Sequence, residues 1–498
     1  MSINIFPDRS QVLNEKSIGG DLRKVLVVPL DFAKQTHVVQ IARGTGEYLR
    51  KRPLNVHNNM AGMNWLLDKV ESCRAKYRIP KRNVIFGGED PPEYVWNFVS
   101  AIGAAGYRFV RVNAKEAKKH RVNSRATSDT LALDGIAQVI LLRRAYELQD
   151  RSEIYGAMKQ AERSRRKLKR DETAVKNRIH RGVDILFPGF LDESLSGLQP
   201  FGKASLDLMQ DGFSAVRIKR MRLDTLTGRL RKSRVREPER VAAKLKELAA
   251  AALPPDPAML DYLQGSLTAK VAQLRAVAEN IRFEEHEMAR CLVQTPGFLL
   301  TSIPGLGVVL AGGIVAEYGD PDQWPHPDKM ASYAGIVARH YQSGGPQSSP
   351  VPGRLPIDAN HHLKDQLLQA AHHTGQFRHP AWSRLELPGE HQLYENFRRV
   401  ESREGCSRLS TAKRLLEIGR AMIRDRRVYL PRTALRPEAA DAMPPDQHVE
   451  YLEIVAEMLT RKWKPYNLSG IPEERNQLRF WLKETEELAK FTKKHNNK

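Results

Sequence analysis

The chain has 498 residues, of which 41% are hydrophobic and 28% charged, a balance that predicts a globular protein of several domains and excludes a fibrous or disordered one. Eighty Lys and Arg against 58 Asp and Glu give a net charge of +22, which favours a polyanionic partner, nucleic acid before an anionic membrane surface. Cys73, Cys291 and Cys406 lie far apart, which argues against a disulfide framework or a zinc ribbon and is typical of a reducing cytosol.

No segment is expected to enter a membrane. The first 20 residues lack the apolar core of a signal peptide. Residues 298–316 are uncharged, but they contain Pro304 and several glycines, and no other stretch resembles them. We therefore expect a buried helical hairpin there and a soluble protein without a membrane partner.

The first 150 residues predict a mixed α/β domain. An apolar strand over 25–31 ends in Asp31, and a hairpin leads to a second strand through Ile41. Further strands are expected over 47–56, 83–86 and 107–112, with helices near residues 60–70, 91–98 and 128–148. This order of elements is that of the ribonuclease-H-like fold, in which the first and fourth strands lie side by side.

Four carboxylates are expected to meet at one edge of this sheet. Asp31 ends strand one and Glu89 follows strand four, while Asp129 and Asp134 lie where the last helix begins. Carboxylates so crowded repel one another unless divalent cations neutralise them. Oxygen-only ligands suit Mg²⁺ or Mn²⁺, and two such ions support a phosphodiester displacement. Taken singly, each acid is equally well explained as a turn cap or a solvated residue.

Two motifs in this domain resemble those of a known family. Residues 31–34, Asp-Phe-Ala-Lys, followed by His-Val-Val at 37–39, resemble the first motif of the DEDD insertion-sequence transposases with a RuvC-like domain. These are the bridge-RNA-guided recombinases, which are related to the pilin-gene DNA invertases. Glu89 followed by Tyr94 resembles their second motif, and residues 112–115 resemble the strand before their third.

The third motif departs from the family pattern. It normally has two aspartates three residues apart, which places both on one face of a helix. Here Asp129 and Asp134 are five apart. One of the two aspartates could occupy its position in the family motif while an apolar residue stands at the other position. Alternatively, a local distortion of the helix could bring both aspartates to the site.

The middle of the chain is helical and basic. A heptad seam predicts either a dimerising coiled coil or an ordinary amphipathic helix with a solvated face. The seam comprises Ile154, Met158, Ala161, Arg165, Leu168, Glu172, Val175 and Ile179. Its basic face and a second basic run over 217–236 are expected to contact nucleic-acid phosphates. The candidate contacts are Arg166, Lys167, Lys169, Arg170, Lys219, Arg220 and Arg222. No catalytic constellation is evident in this region.

Residues 303–307, Ile-Pro-Gly-Leu-Gly, look like the turn of a helix-hairpin-helix element, in which Gly305 and Gly307 would present backbone amides to DNA phosphates. A buried hairpin requires the same glycines. Downstream, residues 332–335 and 341–344 resemble the C-terminal transposase domain of the same family, whose serine is Ser343 here.

The resemblance implies that Ser343 attacks the DNA backbone and forms a covalent phosphoserine. A hydroxyl needs activation, and no base is evident nearby, so activation is expected from the carboxylate site of the first domain, in the same or another subunit. Alternatively, Ser343 is part of a flexible loop and has no catalytic role. Ser348 and Ser349 are further candidate nucleophiles. Of a Lys-x-Gly-Asn stretch usual in the family, only Asn360 is present.

Four histidines follow on a predicted helix: His361, His362, His372 and His373. They have no close pair at the spacing of zinc ligands, so a polar helix face is the better interpretation.

These observations predict four regions: a RuvC-like DEDD catalytic domain (1–150), a coiled-coil and basic helical region (151–290), a transposase domain with the serine (291–430) and a helical extension (431–498). The resemblance implies an insertion-sequence transposase that cleaves and exchanges DNA strands with Mg²⁺ or Mn²⁺. It also implies guidance by a bridge RNA, a dimer or tetramer, and a place on the nucleoid in bacterial cytoplasm. The alternatives are a RuvC-like junction resolvase or nuclease, and a non-catalytic basic nucleic-acid-binding protein.

Overall fold

The chain folds into two compact units, Met1–Arg151 and Ser152–Lys498. Its computed structural model describes most of the chain. The described residues are 21–89, 93–121, 128–142, 144–147, 153–319, 324, 326–338, 340–341, 351–353, 355–356, 359–387, 389–401, 407–435, 443–466, 468, 473, 476–481 and 483.

One mixed sheet of seven strands forms the centre of the first unit. The strands are β1 (Leu26–Asp31), β2 (Thr36–Val39), β3 (Ala42–Arg43), β4 (Leu54–His57), β5 (Val84–Glu89), β6 (Arg108–Val112) and β7 (Tyr146–Glu147). Their order is β4-β2-β1-β5-β6-β7, with β3 also paired to β1. β1, β5 and β6 run parallel, and β2 is antiparallel to β1. The expected adjacency of the first strand to the fourth predicted strand, which is β5, is confirmed.

Helices cover both faces of this sheet. They are α1 (Met60–Lys76), α2 (Trp96–Ala104), α3 (Ala114–Lys119) and α4 (Asp129–Leu141). Alternate residues of β1 point to opposite faces: Leu26, Val28 and Leu30 pack in the core with α1 and α2, while Val25 and Val27 pack with α3 and α4. Because both faces are buried, β1 is apolar throughout until its last residue.

Several element boundaries differ from the prediction, and two of the differences change how the sheet is built. The strand expected over 47–56 begins only after Pro53, which cannot donate to a ladder, and forms as Leu54–His57, while Tyr48 makes a single bridge to Ala42. The last helix ends at Leu141 rather than near residue 148, since polar residues follow the apolar run, and β7 takes the end of that segment.

A long helical hairpin begins the second unit. α5 (Glu153–Leu186) packs antiparallel to a helix of similar length, Pro257–Leu292, called α11 in chain order. Arg165 pairs with Glu285 at 2.7 Å toward one end, and Gly182 faces Leu267 toward the other. The predicted heptad seam therefore packs against a helix of the same chain, and dimerisation through it stays a prediction.

A small helical domain is inserted between the far ends of α5 and α11. We call residues 187–256 the tip domain. It contains α6 (Glu193–Ser196), α7 (Lys203–Met209), α8 (Ala215–Arg220), α9 (Leu223–Lys232) and α10 (Pro238–Ala251). Phe187, Phe190 and Phe213 are fully buried and contact one another, in a hydrophobic core that the tip domain shares with the adjoining ends of α5 and α11.

The rest of the second unit shares one hydrophobic core. Its elements are α12 (Val308–Tyr318), α13 (Pro327–Ala334), β8 (His340–Tyr341), β9 (Val351–Pro352), α14 (His361–Gln376), α15 (Pro380–Arg384), α16 (Gln392–Glu401), α17 (Ser407–Arg424) and α18 (Pro445–Trp463). Trp463 and Trp481 pack against Phe298, so helices on either side of residue 430 contribute to the same core.

The apolar stretch 298–316 is buried as expected, as part of a 3-10 helix, a turn and α12. Among the described helices, none combines the length and the apolar character needed to cross a membrane.

Candidate active site

Asp31 and Glu89 end two neighbouring parallel strands. Leu30 of β1 pairs with Gly88 of β5, so the next residue of each strand brings the two carboxylates side by side at the carboxyl edge of the sheet. Both side chains are half-buried, the Glu89 side chain being 35% exposed. The sequence prediction that these two acids come together agrees with this placement.

Asp129 reaches the same edge from above the sheet. Ser128 caps α4 by accepting a hydrogen bond from the Leu131 amide, which places Asp129 in the first turn. The helix lies close to β5 because Gly87 has no side chain: a Cβ there would be 2.6 Å from Cδ1 of Ile140. Asp129 is near enough to Asp31 to raise the pKa of that carboxyl group.

Asp134 has a different neighbour. It accepts a hydrogen bond from the Tyr48 hydroxyl, and this contact together with burial raises the Tyr48 pKa. Tyr48 bridges to Ala42, which pairs with Val27 near the start of β1, whereas Asp31 is at its end. Five residues turn an α-helix by about 140° beyond a full circle, which explains why the two aspartates face different parts of the sheet.

Burial and mutual repulsion both act on the edge carboxylates. Burial raises the pKa of Asp31 and of Glu89; the charge of Asp129 raises that of Asp31 further, and the charge of Asp31 raises that of Glu89. Arg121 opposes both shifts, and its guanidinium lies 3.7 Å from Glu89 Oε1. Three carboxylates beside one guanidinium leave a negative charge that one divalent cation would balance.

Sequence reasoning missed Arg121. It follows α3 directly after Lys118, Lys119 and His120, so by sequence it belongs to an ordinary basic surface. Yet its side chain is only 11% exposed, and its Nε is buried without a partner among the described residues. Only the fold brings it to the carboxylate edge.

The edge acids offer oxygen ligands alone, which fits Mg²⁺ or Mn²⁺ better than a transition metal that prefers nitrogen or sulfur. Asp31 interacts electrostatically with both Glu89 and Asp129. A divalent cation held at this edge would therefore take Asp31 as a ligand together with Glu89 or Asp129.

A second group of metal-ligating side chains lies in the other unit. Within the described part of the chain, Glu162, Glu317 and His362 alone form a trio with ligand atoms all within 4.8 Å of one another. Lys159 and Arg163 are 3.0 and 3.1 Å from Glu317, and together they lower its pKa to about 2 despite its burial.

The two carboxylates of this second group belong to a network of ion pairs and hydrogen bonds. Asn360 donates to Glu317 at 2.9 Å, so both of its carboxylate oxygens are already engaged, and Gln366 donates to Glu162. The network joins α5 to α12 and α14 and compensates charges that would be costly to bury alone. His362 of α14 lies beside this network, and its Nδ1 is buried without a hydrogen-bond partner among the described residues.

The predicted nucleophile falls outside the described residues, as do Ser348 and Ser349. Ser343 belongs to the connection between β8 and β9, which pair antiparallel through His340 with Pro352 and Tyr341 with Val351.

The turn at 303–307 has the contacts of a buried hairpin. Gly305 has a φ of +72°, and a Cβ there would lie 2.7 Å from the His373 carbonyl oxygen of α14. Lys462 of α18 donates to the carbonyl oxygens of Thr301, Ile303 and Leu306 at 2.7–2.9 Å. Gly307 precedes α12 as its N-cap.

The candidate phosphate contacts differ in how far other residues engage them. Arg166 pairs with Asp365 at 2.6 Å and Lys169 with Glu172 at 3.0 Å, whereas Lys167 and Arg170 are exposed and have no ion pair with a described residue. The remaining three, Lys219, Arg220 and Arg222, are also exposed and lie in the tip domain.

Two family models match the chain, and both are transposase models. A DEDD transposase model of the IS110 type matches residues 28–188, which include all four predicted acids. A model described as the transposase IS116/IS110/IS902 family matches residues 298–386, which include Ser343. No curated protein matches the chain. These matches identify the chain as a DNA transposase with domains similar to those of the IS110/IS116 insertion-sequence transposases.

Proposed function

We propose that this transposase cleaves and rejoins DNA strands with a divalent-metal site at Asp31, Glu89 and Asp129 and with Ser343 as the nucleophile. The first unit is, in this proposal, a ribonuclease-H-like domain, which the strand order β4-β2-β1-β5-β6 supports. The observation that carries the proposal is the meeting of two strand ends and one helix start at the same edge of the sheet. Asp31 and Glu89 are half-buried there, with pKa values raised by burial and repulsion, and the Asp129 carboxylate acts on Asp31 from the start of α4.

Mg²⁺ or Mn²⁺ bound to these acids would polarise phosphodiester oxygens and neutralise charge that develops on them. The chain's own groups prepare that site. β1 and β5 fix Asp31 and Glu89 on the rigid sheet, and α4 supplies Asp129. Arg121 lowers the pKa of Asp31 and Glu89. It therefore favours the ionised acids that can accept a cation.

The covalent step exchanges one ester bond for another. The Ser343 oxygen bonds to a backbone phosphorus as the bond from that phosphorus to a deoxyribose oxygen breaks. The serine proton leaves, and the deoxyribose oxygen departs as a hydroxyl. A second deoxyribose hydroxyl then displaces the serine, which regains its proton, so the strand is rejoined without an external energy source.

Target choice, in this proposal, comes from a structured bridge RNA that pairs with donor and target DNA, and the enzyme works as a dimer or tetramer. The support is the family resemblance together with a net charge of +22, which suits two polyanionic partners.

Asp31→Asn tests the enzymatic proposal. We expect loss of Mg²⁺-dependent strand cleavage by more than about 100-fold, because a direct ligand is worth more than the 10- to 100-fold of outer-shell partners. DNA binding without metal should persist, since only one surface charge changes. Cleavage at the wild-type rate in this variant would overturn the carboxylate site. Cleavage that needs Asp31 but not Ser343 would instead indicate a RuvC-like nuclease.

A further inference from the structure

The tip domain presents an unbalanced positive surface. Residues 217–236 contain nine Lys and Arg but one acidic residue, Asp224. Arg217 and Arg229 pair with Asp211, and Arg231 pairs with Glu239. The other six are exposed and make no ion pair with any described residue: Lys219, Arg220, Arg222, Lys232, Arg234 and Arg236. We call these six the tip cations.

The tip cations lie on a rigid framework. Lys246 of α10 donates to the carbonyl oxygens of Lys219 and Met221, at 2.6 and 2.5 Å, and so ties down the corner between α8 and α9. α9 itself is anchored by the buried Leu226 and Leu230. The surface is therefore preorganised, and little conformational entropy is lost when it meets a partner.

The cations form two groups at the ends of α9. Lys219, Arg220 and Arg222 precede this helix, while Lys232, Arg234 and Arg236 end or follow it. Ten helical residues span about 15 Å. At 3.4 Å per base pair, this separation corresponds to about four base pairs of a duplex.

The chemistry of the surface favours a double-stranded partner. Proteins that hold single strands stack bases on exposed aromatic side chains. Between residues 189 and 256 the aromatic residues are Phe190, Phe201 and Phe213; two are fully buried, and Phe201 is half-buried beneath Lys176. Guanidinium and ammonium groups without aromatic neighbours suit phosphates on the outside of a duplex.

We propose that the tip domain is an accessory duplex-DNA contact that grips the phosphate backbone through the tip cations, without reading sequence. The tip cations lie outside both segments matched by the transposase models. This inference rests on the proposed function only in taking DNA as the partner. It adds a binding surface that acts independently of the carboxylate edge and of the serine.

The test uses the full chain with Asp31→Asn, without divalent cations, so that binding is measured apart from cleavage. Dissociation constants for a 30-bp duplex of arbitrary sequence are measured from 50 to 200 mM KCl. The test variant adds Lys219→Gln, Arg220→Gln and Arg222→Gln. Its matched control adds Arg240→Gln, Arg282→Gln and Arg384→Gln, which remove the same charge from arginines already paired with Glu237, Glu279 and Glu457. Circular dichroism verifies folding of both.

Each phosphate contact adds about 0.9 to the slope of log affinity against log salt. We therefore expect the slope for the test variant to be shallower by about 3. When the salt rises fourfold, the affinity of the variant should then fall by a factor about 40 times smaller than the fall in its parent. The control should keep the parent slope. Equal slopes for the variant and the control would overturn the proposal. It would also be overturned if the tip cations governed binding to a 30-nucleotide single strand or to phosphatidylserine vesicles more than to the duplex.

Cleavage assays with Asp31 intact separate the two proposals. Normal cleavage by the tip variant with unchanged duplex affinity would remove the tip contact and leave the proposed function standing. If duplex binding depended on the tip cations but the native chain did not cleave DNA, the tip contact would stand and the proposed function would be overturned.

Discussion

At the scale of single residues, the two aspartates of α4 have different neighbours. Asp129 raises the pKa of Asp31 at the strand edge, whereas Asp134 accepts a hydrogen bond from Tyr48. The spacing of five residues left open which aspartate belongs to the acidic motif. The contacts favour Asp129 as the third metal ligand and give Asp134 a structural role.

We predict that Asp129→Asn lowers metal-dependent cleavage by more than about 100-fold, while Asp134→Asn changes it by less than about tenfold, because asparagine still accepts the Tyr48 hydrogen bond. Cleavage of a labelled duplex, measured with both purified variants side by side, checks this. The reverse order of effects would assign the third ligand to Asp134.

Arg121 gives a prediction about pH. Its positive charge lowers the pKa of Asp31 and Glu89, so Arg121→Met should raise both. Protons compete with cations for carboxylates, and Mn²⁺ binding should therefore require a higher pH in this variant than in the native chain. Mn²⁺ titrations at several pH values between 5 and 8 measure the midpoint, which is the pH at which Mn²⁺ binding reaches half of its maximum.

Arg144→Met is the matched control for that experiment, since Arg144 pairs with Glu116, 3.4 Å away. Its midpoint should equal that of the native chain. A midpoint that stays in place in Arg121→Met, or one that moves equally in both variants, contradicts the role given to Arg121.

Asp31 and Glu89 could be predicted because each ends an apolar run, and adjacent parallel strands bring their ends together. Arg121 could not, since its contact depends on how α3 packs against α4 and no local pattern separates it from the surface lysines beside it. The ion-pair network of Glu317 likewise joins residues more than 150 positions apart, which only the tertiary fold brings together.

At the scale of elements, long periodic helices were predictable and their partners were not. The heptad spacing of apolar residues in α5 predicted a packing seam, but it did not predict that α11 would be the partner helix. An apolar stripe has the same pattern whether its partner belongs to the same chain or to another. The tip domain was visible only as a basic run and one helix over 241–251, since its shorter helices, down to four residues in α6, carry little periodic signal.

Lys462 connects α18 to the turn before α12. We predict that Lys462→Met lowers the free energy of unfolding of the second unit by about 2 kcal/mol or more. The buried carbonyl oxygens of Thr301 and Leu306 lose their donor, at about 1–3 kcal/mol each, while that of Ile303 still accepts from the Leu306 amide. Urea denaturation followed by tryptophan fluorescence measures the change.

Lys464→Met is a suitable control, since it lies at the exposed end of the same helix and should change stability by less than about 0.5 kcal/mol. Equal stability of Lys462→Met and the native chain would show that α18 is not anchored through this lysine.

At the scale of the whole molecule, the C-terminal helices are part of the unit that carries the serine. Trp463 and Trp481 pack on Phe298, which begins the matched segment 298–386. Sequence comparison with the family could not indicate this, because the model match ends at residue 386 and the packing is made by residues beyond it.

The central claim is that one chain combines an acidic metal edge with a serine nucleophile. The most direct measurement is trapping of a covalent protein–DNA adduct on denaturing gels, with Mg²⁺ and total RNA from the source cell, for the native chain, Ser343→Ala and Asp31→Asn. We predict an adduct with the native chain and none with either variant. Cleavage without an adduct, equal in the native chain and Ser343→Ala, would contradict the claim and identify a hydrolytic nuclease.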